Sequence, residues 1–324
     1  MIEDSRTVVD FQKFTFSGHL RTHVFKVLDE NIKLGHADYT CYWILELMCS
    51  GLTHSCWNTL FLSAALHINR GAPQTFLYLT RMYERFAPLE QQYSLMTMTD
   101  IRNNSEARQI LCEVGACLAL TRKAKLPTLP RIRPEHDFTP VVIQESLKAP
   151  SSIYARPIMK QEDPMELYIP INEFAYCLRP ETRDSLKALY WVSWILKYAS
   201  KYKEDQKTYL ICGYRSNDYV EEKYLRSPIW ILWAVIMENM RNSPQVTIIT
   251  PYIEALYKMY CLRWSQGDLK KRLPFLITSI LYVCESSTLD IHYFVPQNIS
   301  QVQEIVLNIP EWLEAIKQTK KTFA

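Results

Sequence analysis

Only seven of the 324 residues are glycine, against a usual share of roughly 7%. Glycine supplies the positive-φ backbone that tight hairpins and phosphate-cradling loops use. A chain this poor in it has few ways to reverse a strand or wrap a phosphate, whereas helices do not depend on it. With 48% apolar and 12% aromatic residues, the chain can bury the core of one large domain or two ordinary ones. The expected class is all-α.

Proline sets the organisation. Eight of the 17 prolines lie between Pro127 and Pro170, and each removes a backbone donor and pushes its predecessor out of the α region. The reading is therefore a helical module over 1–120, a proline-rich strap over 121–165, and a second helical module over 166–324. Phe138, Val141, Val142, Ile143, Ile153, Tyr154 and Ile158 are interspersed in the strap. It is expected to lie extended on a folded surface and bury alternate side chains.

In the first module, Asp38 or a neighbour caps a helix with Cys41, Ile44, Leu45 and Met48 on its apolar face, at i, i+3, i+4, i+7 spacing. Gly51 stops it. A second helix runs from about His54 to Ile68 around Trp57. Pro73 suits the first turn of a third, with Phe76, Leu79, Tyr83 and Phe86 inward. A fourth covers about Ser105 to Leu120, with Ser105 as its expected cap. Short connections make these four a compact module.

The second module repeats the order. The Tyr42-Trp43 pair is matched by Tyr190-Trp191, in a helix from about Thr182 to Ala199, and Ser227-Pro228 opens a helix holding Trp230 and Trp233. "YLTRMYERF" (Tyr78 to Phe86) is matched by "YIEALYKMY" (Tyr252 to Tyr260), with Tyr83 opposite Tyr257. "ARQILCEVGACLAL" from Ala107 is echoed by "KRLPFLITSILYVC" from Lys271. Four elements in one order read as an internal duplication. The copies differ by a charged, Tyr-rich insertion over Lys201 to Arg226, expected to be a surface loop. Tyr42, Trp43, Trp57, Pro73, Tyr83, Tyr190, Trp191, Trp230 and Tyr257 are the expected structural residues.

The chemistry-bearing motifs are sparse. G-x-x-x-x-G-K-[ST], G-x-G-x-x-G and G-x-S-x-G are all missing, which argues against a phosphate loop, a dinucleotide fingerprint or a nucleophile elbow. His19 and His23 would share one helix face, but Leu20 stands where a zinc protease has its glutamate and no third ligand follows. They are the metal candidates on spacing alone, and no metal or other cofactor is expected. His54 lies near Cys49 and Cys56, both on apolar positions. The nine cysteines form no C-x-x-C pair and suit a reducing compartment as small core residues. Glu162-Asp163 and Glu221-Glu222 read as solvated charge.

Arg122, Lys123, Lys125, Arg131 and Arg133 place five cations and no acid within twelve residues. Such a run can dock on phosphates or sit as a solvated helix end favoured by the helix dipole. The net charge of +3 does not by itself announce a nucleic-acid binder. The start, Met1-Ile2-Glu3-Asp4, lacks the basic and apolar segments of a signal peptide. The longest apolar run, Ile229 to Met237, is about half of a membrane span. An intracellular protein without a membrane contact is expected.

Two resemblances add to this. Ile32, Tyr42-Trp43, Gly51, Ile68, Pro73 and Tyr83 stand in the order and spacing of the collar, or oligomerisation, region of the RarA/MgsA/WRNIP-type clamp-loader-like ATPases, over roughly residues 26 to 120. The ATPase module is missing, so the resemblance implies only self-assembly or partner binding. The whole chain also resembles a family of helical proteins of nucleocytoplasmic large DNA viruses, through the Tyr-Trp helices, "RNN" (Arg102 to Asn104), "KAP" (Lys148 to Pro150) and "DPMEL" (Asp163 to Leu167). That resemblance implies a setting, the cytoplasm or nucleus of a host cell or the virion, and no activity. The expected function is a non-enzymatic oligomerisation or partner-binding scaffold of a large DNA virus, associated with DNA replication or repair. The alternatives are a virion component, with the strap cementing capsid or core proteins, and a metal-binding or enzymatic protein using His19, His23 or the Cys49, His54, Cys56 group.

Overall fold

The computed structural model describes residues 1–94, 97–241, 246–293 and 299–323. It is all-helical, and among the described residues the only β pairing is an isolated bridge between Phe14 and Leu20. The chain divides into two compact units, residues 1–125 with 290–324, and residues 126–289.

The first unit holds α1 (Arg21–Leu34), α2 (Ala37–Cys49), α3 (Thr53–Ser63), α4 (Gln74–Gln91) and α5 (Ser105–Leu120). The second holds α6 (Pro134–Asp137), α7 (Pro140–Ser146), α8 (Tyr168–Cys177), α9 (Ser185–Gln206), α10 (Ile229–Arg241), α11 (Val246–Cys261) and α12 (Leu269–Cys284). The chain then returns to the first unit with α13 (Ile299–Leu307) and α14 (Ile309–Phe323). Among the described residues each unit therefore holds seven α-helices rather than four, and residues 166–324 do not form a single C-terminal module. The return is fixed by burial and by polar contacts. Leu313 and Ile316 of α14 are buried, Lys320 pairs with Asp4 at 2.8 Å, and Ser17 donates to both the buried Glu46 carboxylate and the Ile316 carbonyl.

Helix limits follow local chemistry. Gly51, at φ +67, ends the α2 turn where a side chain would collide with Val8 and Thr99. The cap of α5 is Asn104 rather than Ser105, its carboxamide oxygen accepting from the Ala107 amide at 3.0 Å. The whole Arg102 to Asn104 triplet is structural. Buried Arg102 donates to the Cys49 carbonyl at the end of α2 and to the Asp4 carbonyl, and Asn103 exchanges two hydrogen bonds with the Ile2 backbone.

Packing in the first unit centres on the crossing of α2 and α5. Gly115 lets the helices approach so closely that a Cβ there would meet the Ile44 and Thr40 side chains. Gly115→Val should therefore lower stability by about 1–3 kcal/mol through overpacking, read as a lowered denaturant midpoint; an unchanged midpoint would show that the crossing is loose.

A similar aromatic contact is found in each unit. Trp57, the fifth residue of α3, packs on Tyr83 and Phe86 of α4 at 5.3 and 5.4 Å between ring centroids. Trp233, the fifth residue of α10, packs on Tyr257 and Tyr260 of α11 at 4.9 and 5.1 Å. Trp233 thus makes ring contacts of the same kind as Trp57. Trp230 instead donates from its indole to the Tyr224 carbonyl at 2.8 Å and packs on Trp264.

The proline-rich segment departs from the expected extended strap. Thr121 to Lys125 belong to the first unit, and from Leu126 the chain joins the second, forming α6 and α7 on the way. Ile132, Ala155 and Ile158 are buried, but Val141 and Ile153 are 64% and 57% exposed. An extended proline-rich run has backbone amides without ladder partners, and these need other acceptors. Two buried polar side chains of α8 supply them. The Glu173 carboxylate accepts from the Lys148 and Ala149 amides at 2.7 and 3.1 Å. Asn172 accepts from the Tyr154 amide at 2.9 Å and donates to the Ser151 carbonyl at 2.8 Å.

Candidate functional site

The metal candidates do not come together. Leu20 is the N-cap of α1, so His19 lies outside the helix that carries His23, and the His19 ring packs edge-on against Trp43 at 5.3 Å. His54 faces the Glu90 carboxylate at 3.4 Å, while Cys49 and Cys56 are buried. Among the described residues no three metal-ligating side chains converge. All nine cysteines are free and buried. Burial pushes the Cys261 thiol up to about 11 and the Cys117, Cys177 and Cys212 thiols up to about 12. None of these four is a ready thiolate near neutral pH.

The basic run is divided by its surroundings. Arg122 donates to the Gly71 carbonyl at 2.8 Å, pairs with Asp290 at 3.2 Å and lies 4.3 Å over the Tyr293 ring. Lys123 donates to the Leu118, Ala119 and Thr121 carbonyls at 2.6–2.8 Å, closing the C-terminus of α5. Burial pushes the Lys123 ammonium down to about 8. Beside them, Asn69 holds a positive-φ backbone and donates to the Ala124 carbonyl at 2.7 Å. Two of the five cations therefore hold the chain to itself. Lys125, Arg131 and Arg133 are exposed.

Of the acidic pairs, Glu221 and Glu222 are exposed, as expected, but Asp163 is not solvated. It is buried against Arg215, which grips it at 2.9 and 2.6 Å, and it also accepts from the Lys160 and Gly213 amides at 2.7 and 2.8 Å. This lock ties the Lys201 to Arg226 insertion down. The insertion is loop only beyond α9, which extends to Gln206.

A concave surface of about 700 Å³ lies in the second unit, between α6 and the C-terminal half of α9. Its wall is aromatic. Phe138 meets Trp194 at 4.7 Å and Tyr198 at 5.7 Å, both inclined by at least 60°. Trp194 and Tyr198 stack at 5.3 Å with 6° between their planes. The Trp194 indole donates to the Asp137 carbonyl at 2.9 Å, fastening α6 to α9. Tyr202 continues the wall one turn on. The spacing i, i+4, i+8 is what a buried stripe would show, but on α9 no residue after Ile195 is buried. The last rings of the stripe therefore line a groove.

The rim is acidic. Glu135, Glu166 and Asp205 face one cation, Lys201, and Lys201 is already paired with Asp205 at 2.7 Å. Glu135 and Glu166 are exposed. Burial raises the Tyr198 hydroxyl above its ordinary range, and the nearby Glu166 carboxylate and Tyr202 add to this. Glu166 belongs to the Asp163 to Leu167 segment, in which Asp163 and Leu167 are buried and Glu166 is not. Glu135, Tyr198 and Tyr202 belong to no motif in the sequence, and Glu166 enters only as part of the Asp163 to Leu167 segment. The aromatic stripe was a readable signal, but the carboxylates meet it only through the fold.

A second, smaller concavity of about 500 Å³ lies in the first unit, between α5 and α13, lined by Glu113, Cys117, Val302 and Leu307. The Tyr78 hydroxyl donates to Glu113 at 3.3 Å. No helix among the described residues is long and apolar enough to cross a membrane. In comparisons with known proteins, no family model matches the chain, and no curated protein or solved structure matches it.

Proposed function

We propose that this chain is a non-enzymatic helical scaffold that binds protein partners, copies of itself included. The observation that carries the reading is the α6–α9 groove: an aromatic wall under Glu135 and Glu166, two carboxylates without an ion pair among the described residues, on a surface whose other aromatic clusters are used for packing. Aromatic anchors in a concave patch are the usual centre of a recognition surface. The collar resemblance of residues 26 to 120 supports self-association, and the viral resemblance supports a setting in a large DNA virus near replication or repair. The similar Trp57 and Trp233 clusters support an origin of both units from one duplicated module.

Size-exclusion chromatography with light scattering on the full 38.2 kDa chain tests the self-association part. A mass of two or more chains is expected at tens of micromolar. A strict monomer would remove oligomerisation from the reading.

A further inference from the structure

We infer that the α6–α9 groove receives an arginine side chain carried by a flexible basic segment of a partner protein, an assignment that rests on the partner-binding reading above. Charge decides the class of occupant. Asp205 is consumed by Lys201, which leaves Glu135 and Glu166 as the charges a ligand meets. A phosphate backbone would be repelled there, since nucleic-acid affinity comes from neutralising phosphates with cations. The chain's own nearby cations, Arg131 and Arg133, do not line the groove.

The wall decides between cations. Tyr198 lines the groove with its ring held parallel to Trp194, whose indole N–H donates to the Asp137 carbonyl. Phe138 stands inclined beside it. A guanidinium is planar and weakly hydrated, and it can stack on such a ring while its N–H fork reaches a carboxylate. A lysine ammonium is more strongly hydrated and has no planar face to lay on a ring. A concavity of about 700 Å³ has room for a side chain of a bound segment.

The test uses the full chain and two labelled peptides of equal charge, one with four arginines and one with four lysines spaced by glycine and serine, read by fluorescence anisotropy. The arginine peptide is expected to bind roughly tenfold more tightly than the lysine peptide and to weaken as salt rises. Glu135→Gln with Glu166→Gln, both at exposed positions, should weaken it at least about tenfold. Tyr198→Leu should abolish the arginine preference, with its thermal midpoint measured alongside. Equal affinity for the two peptides, or binding indifferent to the glutamine pair, overturns the inference. If neither peptide binds while the full chain still captures a protein in a groove-dependent way, the arginine assignment fails and partner binding stands. If no protein is captured either, both fail. A dimer dissolved by Arg131→Glu with Arg133→Glu would identify a second copy as the occupant and overturn the separate partner.

Discussion

Trp191→Ala is expected to lower stability by about 3–5 kcal/mol, the range for truncating a fully buried aromatic. The Trp191 side chain has 0% exposure and lies in the N-terminal half of α9 among Leu189, Val192 and Ile195, all buried. Trp43→Ala should cost no more than about half of that. Trp43 is only half-buried, flanked by Tyr42 at 5.1 Å and His19 at 5.3 Å. The repeated Tyr-Trp dipeptide suggests equal roles, but the partners differ: His19 covers one indole where core residues enclose the other. Urea unfolding compares the two variants, and hydrogen exchange assigns each loss to its unit, because two units can unfold in separate steps. Equal losses would mean that Trp43 is enclosed as fully as Trp191.

Breaking the Asp163–Arg215 lock is expected to have a comparable effect. Asp163→Asn leaves the Arg215 guanidinium, 10% exposed, without its counter-charge, and removing one partner of a buried pair costs about 3–5 kcal/mol. Replacing both, as Asp163→Leu with Arg215→Met, should recover much of the loss, since the desolvation of the pair disappears with it. Burial by itself would raise the Asp163 carboxyl; the Arg215 side chain and the Lys160 and Gly213 amides override it and hold the group below the usual carboxylate range. The sign follows. With its folded value depressed, the contribution is complete above the ordinary value of about 3.9 and is lost as pH falls below it. Wild type should lose this increment in acid and the Asp163→Asn variant should not. A variant as stable as wild type at pH 7, or an unchanged acid dependence, would show that the pair does not hold the loop.

Much of the fold is legible in the residues because it is local. The spacing of Cys41, Ile44, Leu45 and Met48 defines α2, and Gly51 ends it at a left-handed backbone. The run from Ile229 to Met237 is a buried helix, as its composition implies. What is not legible depends on contacts distant in sequence. Nothing near Asp163 announces Arg215, and nothing within α14 says that Leu313 and Ile316 cover the first unit rather than the second. Glu173 reads as an ordinary helix carboxylate until the proline-rich run brings it two amides that no ladder can satisfy. The groove fails for a related reason. Trp194, Tyr198 and Tyr202 have core spacing, and only the lack of a covering element beyond Ile195 turns their stripe into a surface. The basic run misleads in the opposite sense, because Arg122 and Lys123 look available and are engaged by backbone carbonyls.

The central claim, that the second unit binds protein partners through its α6–α9 groove, is tested most directly by quantitative affinity capture with the full chain. Wild type is compared with a variant carrying Glu135→Lys and Glu166→Lys, two exposed positions whose reversal should leave the unfolding transition in place. The account predicts a protein retained in stoichiometric amount by wild type and lost from the variant. The same proteins on both, with the variant folded, would contradict it.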